Sequence, residues 1–330
     1  MAALILLCAV LVVLGLPFVP LAIEWRRPTD VDALRIPDSA FEDARALAQR
    51  WIALLREAVN LRTLGAPAQD DSPATLCIDE RIALERGQSE ARVLYATRSI
   101  SIGREAHATY AFAEQRIQFR AGSRLSNFAY ARRVEARDAI LDGTVSARAL
   151  RLRGECRFMR IGGLPITLGV GAGRGAPRPP ADAAHRAQRP MTDLIGRSRH
   201  RAGDRRFRVH GDFALPGHTE TEADLVIDGA FYLGEASVLR GSVHAHTVEL
   251  ARHAVVQGAV FARRDIVLRE MSGVEGVLSA GRVLHVDRAS IGRRGLAVTA
   301  FAREIVIERG ASVHGELVAQ AGGRFSESCK

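Results

Sequence analysis

Between Leu225 and Ala319 one short phrase recurs about five times. It consists of an apolar-x-apolar doublet, a few polar residues, a small residue (usually Ala), an apolar residue, Gly, another apolar residue and Ala. The doublets are Leu225/Ile227, Val248/Leu250, Ile266/Leu268, Leu284/Val286 and Ile305/Ile307, and the glycines that follow are Gly241, Gly258, Gly276, Gly292 and Gly315. From Val248 to Ile266 to Leu284 the step is 18 residues each time. That is too short for a helix pair and too regular for a loop. A unit this small cannot bury its own apolar face, so it must stack on its neighbours.

The same period appears upstream in degenerate form. Ile82/Leu84, Ile100/Ile102, Ile117/Phe119, Val134/Ala136, Leu150/Leu152 and Ile166/Leu168 follow one another at steps of 18, 17, 17, 16 and 16. Each doublet reads as a strand fragment with apolar residues inward and polar residues outward. Aromatics are only 5% of the chain, while Gly numbers 30. An aliphatic, Gly-rich composition suits thin, tightly turned layers. The expected fold is all-β, a right-handed parallel β-helix of 16–18-residue coils. Six coils before residue 169 and about five after 208 make roughly eleven, or about 50 Å at a strand spacing of about 4.8 Å. Three arrangements of the two blocks stay open: one continuous rod, a rod bent at the insertion, or two solenoids side by side.

The remaining segments divide the chain further. Ala2–Ile23 is a run of 22 residues without a charge. At about 1.5 Å per residue it is long enough for a hydrocarbon core of about 30 Å. It lacks the basic start and small-x-small site of a cleaved signal, so residues 1–24 read as a retained transmembrane anchor. Trp25, Arg26 and Arg27 follow, and the positive-inside bias puts the rest of the chain in the cytoplasm. Within the linker region 25–75, Ser39 and Glu42 form a capping box that opens an amphipathic helix over 39–61. Its stripe is Phe41, Leu47, Trp51, Leu54, Leu55 and Val59. Two readings of that stripe stand: packing on the following domain, as a cap over one end of the stack, or a membrane-surface or partner-binding helix. Coils occupy 76–168 and 209–320, and 321–330 is a tail. Residues 169–208 form a Gly/Pro/Arg-rich insertion, with ten Arg against three Asp from 174 to 208. The net charge of +9 has its densest stretch there. With no interleaved aromatics, only a non-specific electrostatic mode toward nucleic acid is open to it. Its Gly-x-Gly-x-Gly lacks the Lys-Ser/Thr of a phosphate loop. Cys8, Cys77, Cys156 and Cys329 have no metal-ligand spacing and fit a reducing compartment.

Little in the repeats points to catalysis. His244 and His246 make a His-x-His with His253 nearby; in a strand, i and i+2 share a face, but no third ligand is evident. These histidines read as surface groups, with His285 and His314 in a surface ladder. Asp265, Glu270, Glu275 and Asp287 would line one face of a polysaccharide-active solenoid, but sugar-stacking aromatics are nearly missing. Leu233–Val238 fits an acyltransferase hexapeptide loosely, and apolar positions at 243, 248, 250, 255 and 260 break the six-residue step. These two enzyme classes are the alternatives to a non-catalytic protein. No metal or cofactor is expected.

The wording of the repeat resembles a known family. The stretches Ala236–Ala245, Ala254–Ala262, Gly273–Ala280 and Ala311–Ala319 are similar to the core phrase of the bactofilins, bacterial polymer-forming cytoskeletal proteins. The resemblance is good over 209–320, weak over 80–168, and does not extend to 1–75. It implies a right-handed β-helix that polymerises end to end without nucleotide, at the bacterial inner membrane. The residues expected to carry structure and assembly are an inward ladder, Val248, Leu250, Val255, Val260, Ile266, Leu268, Val277, Leu284, Val286, Ile305 and Ile307, with the repeat glycines Gly241, Gly258, Gly276 and Gly315. The expected partners are other copies of the chain, the membrane through residues 2–23, and an envelope-associated protein. A specific nucleic-acid partner is not expected.

Overall fold

The computed structural model describes residues 49–57, 76–169, 187–188 and 205–327. The chain divides into two units, Met1–Ala40 and Phe41–Lys330, and all the described residues belong to the second. They form a β-solenoid of about thirteen coils, with one short helix at 49–57. The Ala2–Ile23 run lies outside the described residues. Among those residues no helix is long and apolar enough to cross a membrane.

Each coil has three sides. In the first block the upstream doublets stack as the periodicity requires. Ile82, Ile100, Ile117, Val134, Leu150 and Ile166 pair in register through successive parallel strands. All six are buried, as are Leu84, Ile102, Phe119, Ala136, Leu152 and Leu168 beside them. Strand alternation sends every second residue inward, so a coil-to-coil register of whole residues places like beside like.

The second block holds seven coils rather than five, because the doublets identified in the sequence belong to different sides. Leu225 pairs with Val243, and Val243 with Val260. Val248 instead continues Phe231 below it and Ile266 above it. The first coil, Phe207/Val209 with Phe213/Leu215, and the last, Leu317 with Phe325, complete the set. Two assignments within the ladder shift by one residue. The interior takes Leu278 in line with Val260, and Val277 is only half-buried. On the third side the core column runs Leu239, Val256, Val274, Ile291 and Val313. Val255 is buried beside that column but outside the core cluster. Short two- and three-residue strands next to a corner leave too few alternations to fix the phase from sequence.

The corner itself has a signature. One residue per coil takes the left-handed conformation: Gly87, Glu105, Gly122, Asp138 and Gly154 in the first block, then His218, Ala236, His253, Met271, Arg288 and Gly310 in the second. Most present their N–H to a carbonyl of the coil above, as Ala236 does to that of Arg252 at 2.9 Å; Gly154 and Gly310 donate across the junction between the blocks. At most of these corners the next residue is small and buried, as at Ala106, Ser123, Ala139, Ser237, Ala254, Ser272, Ala289 and Ala311. This is the recurrent small residue of the sequence phrase. It points into the inside of a tight bend where a larger side chain has no room.

Gly241, Gly258 and Gly276 stack at another corner. A Cβ on Gly258 would lie 2.4 Å from the Gly241 carbonyl oxygen, and one on Gly276 equally close to that of Gly258. Gly315 stands on Val298, not on a glycine, and Gly292 lies in the turn before that position.

The two blocks meet end to end with the chain direction reversed. The last strand of the second block, Ser312–Ser326, pairs antiparallel with Glu155–Leu168, the last strand of the first. Leu317 lies against Ile161, Val313 against Ile166, and Phe325 against Cys156. One hydrophobic cluster runs through both blocks. Arg160 and Glu316 form an ion pair across the joint, and the Glu327 carboxylate accepts the Gly154 N–H at 2.9 Å. The Phe158 ring packs where a side chain on Gly323 would be; a Cβ there would lie 2.2 Å from the ring. The segment between Gly169 and Arg205 therefore links the middle of the stack to its far end. Part of it, Ala187–Gln188, pairs with Thr219–Glu220 in the outermost coil of the second block.

The ladder is brittle to changes in volume. Ile305→Ala should cost about 2–5 kcal/mol, as for other fully buried large-to-small changes. Gly258→Ala should cost more than a surface Gly→Ala change, because the atom it meets is backbone. Denaturant melts of both variants check this; a Gly258→Ala melt like that of the parent would refute the close-packed corner.

Candidate functional site

The outer faces of the coils differ from one another, and the first block carries an apolar one. Its first side turns Ile78, Tyr95, Phe112 and Tyr130 outward in one column, and Val93, Tyr110 and Phe128 in the next. The inward positions between them are Leu94, Ala111 and Ala129, so the aromatics lie outside the core. The 49–57 helix covers this surface. Ile52 and Leu55, at i and i+3, are buried against Tyr95 and Phe112, with Tyr110, Phe128 and Tyr130 around them. Burying two such side chains contributes about 1.5–3 kcal/mol each. The Trp51 ring stacks on Phe112 at 6.4 Å, and Phe112 on Phe128 at 5.7 Å.

The helix thus lies along the side of the solenoid and does not cap its end. The stripe is also rotated from the one read in the sequence: Ile52 replaces Leu54, which is 60% exposed, and Trp51 is 47% exposed. Phe41, Leu47 and Val59 lie outside the described residues. An aromatic outer column in an otherwise aliphatic solenoid is the signal that locates the docking face. Tyr95, Tyr110, Phe112, Phe128 and Tyr130 in the sequence carried it.

A polar clamp holds the helix down. Arg56 Nε donates to Glu114 at 2.7 Å, and the Tyr95 hydroxyl donates to the same carboxylate at 2.8 Å. The Arg56 hydrogen bond is the main reason the Glu114 pKa falls below its ordinary value. Burial is the main reason that of Tyr95 is pushed up to about 12, with its bond to Glu114 adding to it.

The residues weighed for chemistry do not converge. His244 is half-buried and stacks on Phe261 at 4.5 Å, and burial lowers its pKa. The strand ends at Ala245, so His246 turns away into an exposed corner. His253 occupies a left-handed corner. His285 bonds Glu308 at 3.1 Å on another side, and His314 stands at a third position, so they form no common ladder. The four acids are drawn to arginines: Asp265 to Arg282, Glu270 to Arg288 at 3.1 Å, Glu275 to Arg293 at 3.5 Å and Asp287 to Arg288 at 4.0 Å. Glu270 and Asp287 share Arg288 at one corner, Asp265 and Glu275 lie at others, and the four do not form one face. Among the described residues no three His, Cys, Asp or Glu side chains gather as a metal site. Cys156 is a buried free thiol raised by burial, and Cys77 is free and half-buried. Cys8 and Cys329 lie outside the described residues.

The outer ends of the stack are the other candidate surfaces. Among the described residues Leu76–Leu84 pairs only with the next strand of its block, and Arg206–Val209 and Phe213–Leu215 each have one partner. Both ends are first coils of a block, a consequence of the reversed junction. Phe207 and Phe213 are buried at the second end, with Phe213 stacked on Phe231 at 6.2 Å. No family model, curated protein or solved structure matches the chain.

The helix clamp sets a pH window. Glu114 is depressed in the folded state, so its contribution is present above about pH 4.3, the ordinary glutamate value, and lost as pH falls through its lower folded value. Tyr95 is raised, so its contribution is full below about pH 10 and lost as pH rises through its folded value. In a Trp25→Phe background, which leaves Trp51 as the sole tryptophan, its emission should shift to the red at both limits. Leu55→Ala should produce that shift at neutral pH without melting the solenoid. Emission that stays constant across this range would remove the clamp.

Proposed function

We propose that the chain is a membrane-anchored, non-enzymatic scaffold of the bactofilin type, which assembles with its own copies or recruits envelope-associated partners. The observation that carries this reading is the outer edge of the first block, where Leu76–Leu84 is bonded on one side only among the described residues. An open edge of parallel coils offers a row of backbone donors and acceptors to a matching edge. The reversed junction inside the chain supports the same reading, since there two terminal coils dock edge to edge and close a common core. The lateral position of the 49–57 helix leaves it clear of the stacking direction.

In this reading the Ala2–Ile23 run holds the solenoid at the bacterial inner membrane as a single-pass anchor, with the coils in the cytoplasm. Val248, Leu250, Ile266, Leu268, Leu284, Val286, Ile305 and Ile307 act only by keeping the coils in register, and the outer coil of the first block makes the contact.

Electron microscopy of residues 24–330 should show filaments or sheets. Discrete single particles at all protein concentrations would sink assembly. A cytoplasm-dependent reporter fused after Lys330 should be active, and activity of a periplasm-dependent reporter instead would overturn the orientation.

A further inference from the structure

Arginines on this solenoid are often paired between coils. Several meet an acid one coil away, as Arg282 meets Asp265, Arg269 meets Glu249, Arg240 meets Glu220, and Arg124 meets Asp142. At one corner of the first block four arginines gather around a single cleft, three of them without such a pair among the described residues. Phe119, Ala136 and Leu152 stack in register, so the residues after them, Arg120, Arg137 and Arg153, stand one above another on successive coils. Arg104 comes from the coil below. The four line a cleft of about 390 Å³ whose other charged groups are Glu135 and Asp138.

Both acids are already engaged. Glu135 accepts from Arg116 at 2.7 Å. Asp138 lies 3.5 Å from Arg137 and accepts the Glu155 N–H at 2.8 Å. Among the described residues no carboxylate comes within ion-pair distance of Arg104, Arg120 or Arg153, although Glu135 feels the charge of Arg153 and Glu105 that of Arg104. The Arg153 Nε is buried and has no hydrogen-bond partner. Like charges stacked at the strand spacing of about 4.8 Å repel each other, and a buried N–H with no acceptor is costly. A multivalent anion in the cleft removes both penalties. The planar guanidinium fork matches the oxygens of such a group bidentately.

We propose that this corner cleft binds an oxyanion of the phosphate class, held by Arg104, Arg120 and Arg153. The cleft is of a size that takes a small ligand, so it has room for more than one phosphate group. The ligand is a free phosphate compound or the headgroup of a phospholipid; both present the same oxygens. The site is independent of the assembly reading, because it lies on the side of the stack and not at its ends.

Calorimetric titration of the detergent-solubilised full chain at constant ionic strength tests it. One arm uses pyrophosphate; the other uses short-chain phosphatidylglycerol below its micelle concentration. Saturable binding in either arm is expected, and the stronger arm identifies the source. Arg104→Gln and Arg120→Gln should each weaken it by about tenfold or more, with an unchanged melting temperature. Arg81→Gln, an exposed arginine of the first coil outside the cleft, should bind as the parent does. No saturable binding at millimolar ligand in both arms overturns the site, as does equal binding by the parent and by both cleft variants.

Discussion

Every coil of this protein depends on its neighbours for its backbone hydrogen bonds. Within one coil the strands share no ladder; their N–H and C=O groups are met only by the coil above and the coil below. This constraint accounts for the period of 16–18 residues, since each turn must come back into register with the last. It also accounts for the left-handed residue at one corner, which turns the backbone so that its N–H reaches the next coil. The small residue after it is a packing consequence of that bend.

The same constraint makes the ends of the stack the places where the molecule must do something different. The chain meets it once internally. The final coils of the two blocks, which would each leave an open edge, close on each other in antiparallel fashion. Cys156, Phe158 and Ile161 on one side and Leu317, Gly323 and Phe325 on the other make the apolar column continuous. Reversal is allowed because an antiparallel ladder satisfies the same groups as a parallel one, and the inward column is aliphatic whichever way the chain runs. Its result is that two first coils, and no last coil, face outward.

Side chains outside the core divide the surface by chemistry. Aromatics on the first side of the first block create a second, smaller cluster, closed by Ile52 and Leu55 of the helix and clamped by Arg56, Glu114 and Tyr95. Alternating Arg and acid residues elsewhere pair between coils. Exposed pairs of this kind contribute little each, about 0–1 kcal/mol, so they favour correct register more than they add stability. The arginine column at 120, 137 and 153 has no such pairs between coils and gathers with Arg104 around one cleft, and for that reason it stands out as a site.

Much of this was legible in the sequence. The doublets from Ile82 to Leu168 gave strand, inward face and register, because a period-2 pattern repeated at a near-constant step has only one in-register solution. The identity of the sides in the second block was not legible. Leu225/Ile227 and Val248/Leu250 have the same local pattern, and only pairing separates them. The phase of Val255 was lost in a two-residue strand beside a corner, and that of Val277 in the turn before the strand that starts at Leu278. The helix stripe, with apolar residues on more than one face, needed its aromatic partners to show that Ile52 points in and Leu54 out. By itself the sequence determined a stack of coils with an aliphatic interior, because alternation and period are local properties of the chain. Only the tertiary structure decided that the two stacks join tail to tail, that the helix lies on a flank, and which arginines lack an acid, because each depends on contacts between residues far apart along the chain.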